Sequence, residues 1–399
     1  MIKSYICVFL SSLIISVLLS CNRDNNARNK HVKGSEEIEH IIIDLDKNIQ
    51  VSFDSLISKV EFIKLETNDQ NIIGRISQVF FVDSSIIVVD SENTKSITVF
   101  DSKGKFKHKI GNIGNGPEEF VEISNVTIVP EKNLVCVLDR PQRKILYFDL
   151  EGRFRYYERQ PFMLKCFEYI DAEYKAFNVI AMYDHAYGKN RGNALLVTDS
   201  INQIIYSAVE DTYKPDFNYI IKEPLRKYSG QVFFSSNLTD SIYVIENDKI
   251  IPKYYIDIRT NPMPILNKKQ ITNKTLYNYM ERSFLFNGDF VELNDFTLVN
   301  ILTPWSYPFA LYSHKHKEVF LTSGEFTHPL YPFFKYEAIA RYKENGLVFP
   351  IDSYILIDEK KALYKTQGYE AILDDLFKEL DADSNPVLFV YHMNTNLGD

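Results

Sequence analysis

Ile76–Gly111 reads ISQVFFVDSSIIVVDSENTKSITVFDSKGKFKHKIG, and Ile123–Arg159 reads ISNVTIVPEKNLVCVLDRPQRKILYFDLEGRFRYYER. Each stretch holds four short runs rich in Ile, Val and Phe, divided by Asp, Ser, Asn and Gly. Such punctuation marks strands joined by tight turns. The two stretches also align. Ile76-Ser77 matches Ile123-Ser124, Asp90 matches Asp139, Phe100-Asp101 matches Phe148-Asp149, and Gly104 matches Gly152. Four strands in about 48 residues form the unit of a β-propeller blade. The matched residues have physical roles. Asp90 and Asp139 end a strand, where a carboxylate accepts backbone N–H bonds in an Asx-type turn. Gly104 and Gly152 fit hairpin turns that need positive φ. Phe100 and Phe148 read as packing residues between blades.

The rest of the chain repeats this pattern more loosely. Residues 177–184, 194–198 and 203–207 suggest a third blade. A fourth is read from 231–234, 240–245 and 249–257, and a fifth from 290–293, 296–302, 309–313 and 318–322. The sixth rests on 347–351, 354–357 and 362–365. Two segments read as helices on the outside of blades: Ile271–Phe284, with Leu276, Met280 and Phe284 four apart, and Tyr369–Leu380, with Ile372, Leu376 and Leu380 likewise spaced. Asn385–Tyr391 reads as a closing strand, and Val60–Leu65 as its N-terminal partner, because an open ring would leave sheet edges exposed. The expected fold is all-β, a six-bladed propeller with two peripheral helices. Residues 41–391 give roughly 58 per blade at six blades, with seven blades as the alternative.

Composition agrees. The 399 residues are 45% apolar, 14% aromatic and 25% charged, with only 15 glycines. Aromatic and β-branched residues suit pleated, half-buried surfaces. Lys and Arg number 45 against 53 Asp and Glu, for a net charge of −8. An acidic chain carries no basic footprint, so nucleic acid is not an expected partner.

Residues 5–19 are almost wholly apolar, too few for a transmembrane helix but suited to the core of a secretory signal. They end in Leu18-Leu19-Ser20-Cys21, followed by polar residues. This junction resembles a bacterial lipobox. The resemblance implies cleavage before Cys21, lipidation of Cys21, and anchoring through more than one acyl chain. Asn22 stands where an inner-membrane retention signal would place Asp, which implies an outer-membrane lipoprotein on the periplasmic side or at the cell surface. The expected organisation is therefore a signal over residues 1–20, a lipidated Cys21 and flexible tether over 21–40, and the propeller over 41–399. The tether reaches at most about 60 Å. Beyond Cys7 and Cys21 only Cys136 and Cys166 remain. Export permits a bridge between them, but two cysteines make no disulfide framework.

Residues 86–120 run strand, Asp, polar turn, hydrophobic strand ending Phe-Asp, Gly turn, strand, and then Gly111-Asn-Ile-Gly114-Asn-Gly116-Pro117. This order resembles an NHL-type propeller repeat. Together with the lipobox, Leu65-Glu66-Thr67, Asp240–Tyr243 and Asn385–Leu388, the chain resembles the NHL/TolB-like six-bladed propeller lipoproteins of Gram-negative bacteria. That resemblance implies a fold and a location, and hardly any mechanism.

Motifs for chemistry are sparse. The glycines at 111, 114 and 116 lack the spacing and following helix of a dinucleotide fingerprint and read as a crossover between blades. His314-Lys315-His316 reads as an exposed hairpin tip. His185 and His328 are loop candidates by analogy with metal-dependent NHL-type lyases, without zinc spacing. No cofactor and no catalytic residue is expected. Trp305 and Tyr307, in an aromatic and proline-rich cluster, are the candidate ligand-binding residues. The expected function is a lipid-anchored envelope module that binds or scaffolds an envelope protein, a glycan or a peptide. The alternative is a lyase or hydrolase with a metal in the central channel.

Overall fold

The computed structural model describes residues 38–180, 190, 192–210, 223–236, 239–262, 272–302, 309–322, 328, 330 and 338–398. Six sheets of consecutive antiparallel strands form six blades of a β-propeller. Blade 1 is Gln78–Val82, Ser85–Asp90, Ser96–Asp101 and Phe106–Lys109. Blade 2 is Asn125–Val129, Leu134–Asp139, Lys144–Phe148 and Phe154–Arg159. Blade 3 runs from Leu164–Tyr169 through Tyr174–Val179 and Asn193–Asp199 to Ile204–Glu210. Blade 4 is Leu225–Tyr228, Gln231–Ser235, Ser241–Ile245 and Ile250–Ile258. Blade 5 is Leu285–Glu292, Phe296–Leu302, Phe309–Ser313 and Val319–Thr322. Blade 6 is Ala340–Tyr342, Gly346–Ile351, Val387–Met393 and Ile57–Lys64. The first strand of each blade is the innermost, and the sequence-based reading lacked it in blade 3 (Leu164–Tyr169), blade 4 (Leu225–Tyr228) and blade 6 (Ala340–Tyr342).

Six hydrophobic clusters lie at the six junctions, each fed by two neighbouring blades. Strand periodicity explains this. Successive side chains point to opposite faces, so Ile86 and Val88 pack toward blade 6 while Ile87 and Val89 pack toward blade 2. Both faces are buried, and the middle strands therefore read as unbroken apolar runs rather than alternating ones. Phe100 joins the cluster between blades 6 and 1, and Phe148 the one between blades 1 and 2. They are inter-blade packing residues, as their place in the repeat predicts.

Closure uses the expected pair. Val387–Met393 pairs antiparallel with Ile57–Lys64, with Phe389 opposite Phe62. The N-terminal chain does more than close the ring. Glu39–Ile43 adds a fifth, parallel strand to the outer edge of blade 4, and Ile49–Val51 adds one to blade 5. The segment before blade 1 thus crosses three blades in succession.

Both expected helices are present, as Asn273–Met280 and Glu370–Phe377. Residues 354–357 and 362–363, read as strands, belong instead to a helix over Ser353–Leu363, and 364–365 to the turn that ends it. The run Tyr354-Ile-Leu-Ile357 has strand propensity, but Leu356 and Leu363 stand two turns apart and are buried with Leu373, Leu376 and Phe377. Burial of one helical stripe outweighs local preference here. Between blades 1 and 2 the glycine-rich stretch is a crossover, with Asn112–Ile113 parallel to Glu119–Phe120. A Cβ on Gly111 would lie 2.6 Å from the Phe120 ring, so the bare backbone is what lets the crossover fold onto the blade. Cys136 and Cys166 are free and buried; burial pushes the Cys136 thiol well up and that of Cys166 to about 12. No helix among the described residues is long and apolar enough to cross a membrane.

Candidate functional site: the central channel

The innermost strands of the blades surround the propeller axis. They cannot pair with one another as a sheet, so side chains tie them together. Gln78 of blade 1 receives the Val126 amide at 3.0 Å and donates to the Val126 carbonyl at 3.3 Å. Asn125 receives the Phe167 amide at 3.2 Å, and Thr127 donates to the Phe167 carbonyl at 2.8 Å. Arg226 of blade 4 donates to the Phe290 carbonyl and to the Asp289 carboxylate of blade 5. Each bond satisfies a backbone or charged group that the channel would otherwise leave open.

Between these strands lies a cavity of about 590 Å³, within the usual range of ligand pockets. Its wall runs from the Gln78–Val82 strand to Ala340 and Arg341 and includes Asn125, Thr127, Glu168, Arg226 and Lys227. The cations are engaged. Lys227 donates to the Tyr169 carbonyl at 3.0 Å and stands 4.0 Å from Glu131. Arg341 donates to Ser229 Oγ at 3.0 Å and to Asn294 Oδ1 at 2.6 Å. Burial pulls the Arg341 guanidinium down from its ordinary value. Lys343 lies over the Tyr342 ring, 4.9 Å from its centre. Glu168 differs. Its Oε1 accepts the Tyr169 amide at 2.9 Å, and no cation of the described residues comes within ion-pair distance. Burial pushes its carboxyl up to about 8; the Tyr169 amide and Lys227 pull down, while Glu223 and Glu131 push further up. Near neutral pH this carboxyl therefore holds its proton.

Trp305, Tyr307, Cys21 and His185 lie outside the described residues. His328 is not among the channel residues: its Nδ1 accepts the Leu330 amide at 3.1 Å, and its ring meets Tyr369 edge-on at 4.4 Å. His314 is held within blade 5, with ring nitrogens 2.8 Å from Thr297 Oγ1 and 2.8 Å from the Asn294 carbonyl. Among the described residues no group of three or more His, Cys, Asp or Glu could hold a metal ion. Sequence reasoning missed Glu168, Arg226, Lys227 and Arg341. They sit on LKCFEY, LRKY and ARY, short strands whose charges hide their strand character. The usable signal was positional, since every blade needs a first strand just before its two apolar ones.

Solved structures with this architecture are similar over nearly the whole chain. A Bacteroides fragilis protein named "Putative exported protein" superposes with a TM-score of 0.73 at 21% identity, covering 90% of this chain and 100% of its own. A member of the DUF4221 family from Bacteroides vulgatus gives a TM-score of 0.52 at 10% identity, covering 85% of this chain and 97% of its own. At these identities the likeness shows the fold alone. No match is found among curated proteins. The profile of the domain of unknown function DUF4934 matches residues 40–392, and the chain belongs to that family.

Proposed function

We propose that the protein is a lipid-anchored binding module of the cell envelope, with the central channel as its ligand site. The channel cavity carries this reading. A rigid ring fixes the polar groups of five of its six first strands around one cavity, and ligand sites are concave places with a few convergent polar groups. The apolar N-terminal run ending at Cys21 supports export and anchoring, and the similar Bacteroides fragilis protein is named as exported. Two experiments test the two halves. Cys21→Ser should abolish incorporation of labelled fatty acid, and label that persists would remove the anchor. Ala340→Trp should fill part of the channel and release any small molecule that mass spectrometry finds with the wild-type protein. Retention of that molecule by a folded Ala340→Trp variant would remove the channel as the site.

A further inference from the structure

We infer that the channel takes a small ligand bearing a primary ammonium group, which the Glu168 carboxylate receives. This rests on the reading of the channel as a binding site and goes on to its chemistry. The wall cations are already engaged, Lys343 over the Tyr342 ring among them. Arg226 is bonded to Asp289 and to a carbonyl, Lys227 to a carbonyl, and Arg341 to Ser229 and Asn294. A ligand anion would have to compete for donors already in use. Glu168 is the opposite case. It lines the cavity, it accepts only the neighbouring Tyr169 amide, and no cation of the described residues lies within ion-pair distance.

Glu223, Glu131 and Lys227 face Glu168 from neighbouring elements. Glu131 stands 4.0 Å from Lys227 and Glu223 3.9 Å from Arg226, so these charges balance in pairs and leave Glu168 as the wall carboxyl that no cation of the described residues covers. A metal ion would want three or more ligating side chains, and the described residues offer no such group. A guanidinium would want both carboxylate oxygens for its fork, yet Oε1 is held by the Tyr169 amide. An ammonium needs one strong acceptor, which matches the remaining oxygen. Its arrival displaces the proton that Glu168 holds near neutral pH, so affinity should rise with pH.

Calorimetric titration of the purified full chain tests this, with n-pentylamine as probe and n-pentanol and pentanoate as uncharged and anionic controls. Pentylamine should bind at least ten-fold more tightly than either control. Its affinity should rise by about 30-fold between roughly pH 6.5 and 9, the interval over which a carboxyl titrating at about 8 ionises. Glu168→Gln should lose at least ten-fold and abolish the pH dependence while remaining folded. Equal pentylamine binding by wild type and Glu168→Gln, no pentylamine binding at millimolar probe, or tighter binding of pentanoate would each overturn the assignment. Pentanoate binding that is tighter than pentylamine binding and disappears in Ala340→Trp would end the ammonium assignment and leave the channel standing as a site. Pentylamine binding that survives in a folded Ala340→Trp variant would place it outside the channel and overturn both.

Discussion

Blades 1 and 2 place an aspartate at the same corner, and the two carboxylates experience opposite environments. Asp90 is fully buried, and it collects the amides of Gly74, Arg75, Glu92, Asn93 and Thr94 and the Thr94 hydroxyl, at 2.8–3.2 Å. Asp139, equally buried, accepts the amides of Val121 and Gln142 at 2.8 and 3.2 Å. Burial pushes both carboxyls up. At Asp90 the many N–H donors more than offset it and hold the carboxyl below its ordinary value. At Asp139 two donors and Lys144 do not, and the carboxyl ends above its ordinary value. A repeat thus conveys a position in the fold, whereas the energetics of that position depend on how many loop amides turn inward.

The largest break of this pairing should come from Asp90→Ala. It strands several buried amides at once and should cost about 3 kcal/mol or more in urea unfolding. A loss below about 1 kcal/mol would mean that the corner refolds around water. Next come the paired glycines. Gly104 and Gly152 adopt φ of +81° and +83°. A Cβ at Gly104 would meet the Lys64 carbonyl oxygen at 2.0 Å, and one at Gly152 the Lys109 carbonyl oxygen at 2.8 Å. Each hairpin tip is pressed against the outer strand of the preceding blade. Both alanine variants should lose more than about 1 kcal/mol, Gly104→Ala the more. The reverse order in thermal melts would show that the tip of blade 1 moves away more easily.

The smallest effect should come from Asp139→Asn, within about 1 kcal/mol of wild type at neutral pH. Acid separates the two sites by sign. The folded Asp90 carboxyl titrates below its unfolded value, so its contribution is present above the unfolded value and is lost as pH falls through the folded one. Asp139 titrates above its unfolded value, so folding is favoured as pH falls through the folded value toward the unfolded one. Between roughly pH 3 and 5, Asp90→Asn should flatten the acid loss of stability and Asp139→Asn should steepen it. Urea midpoints across that range check both; parallel curves would erase the contrast.

The same pair of blades shows what the sequence makes legible. Asp, Phe-Asp and Gly recur there because corner, wedge and hairpin each demand one residue type. Blade 3 meets the hairpin demand with Asn202, at φ +64°, a residue that tolerates the left-handed region but breaks the visible repeat. The innermost strands of blades 3, 4 and 6 were hidden by their charges, and Tyr354–Ile357 by its strand-like run within a helix. The closing pair was legible because exposed edges need partners. The two parallel additions on blades 4 and 5 answer no local demand, and only tertiary contact reveals them. The channel was the least legible part. Glu168 is an ordinary glutamate in sequence, and its character comes from blades distant in the chain.

The N-terminal segment across blades 4, 5 and 6 sets a timetable for synthesis. Glu39 is made early, yet its partner Tyr254 comes far later, Phe320 for Ile49 later still, and Val387 for Lys64 almost at the end. Blades 1 to 3 hold all their strands within residues 78–210, while this segment stays unpaired until its three docking edges have formed. Long waits of this kind slow folding and expose strand edges to the wrong neighbours. A chain cut short before Val387 lacks the strand that Ile57–Lys64 pairs with, and so leaves the edges of its ring unpaired.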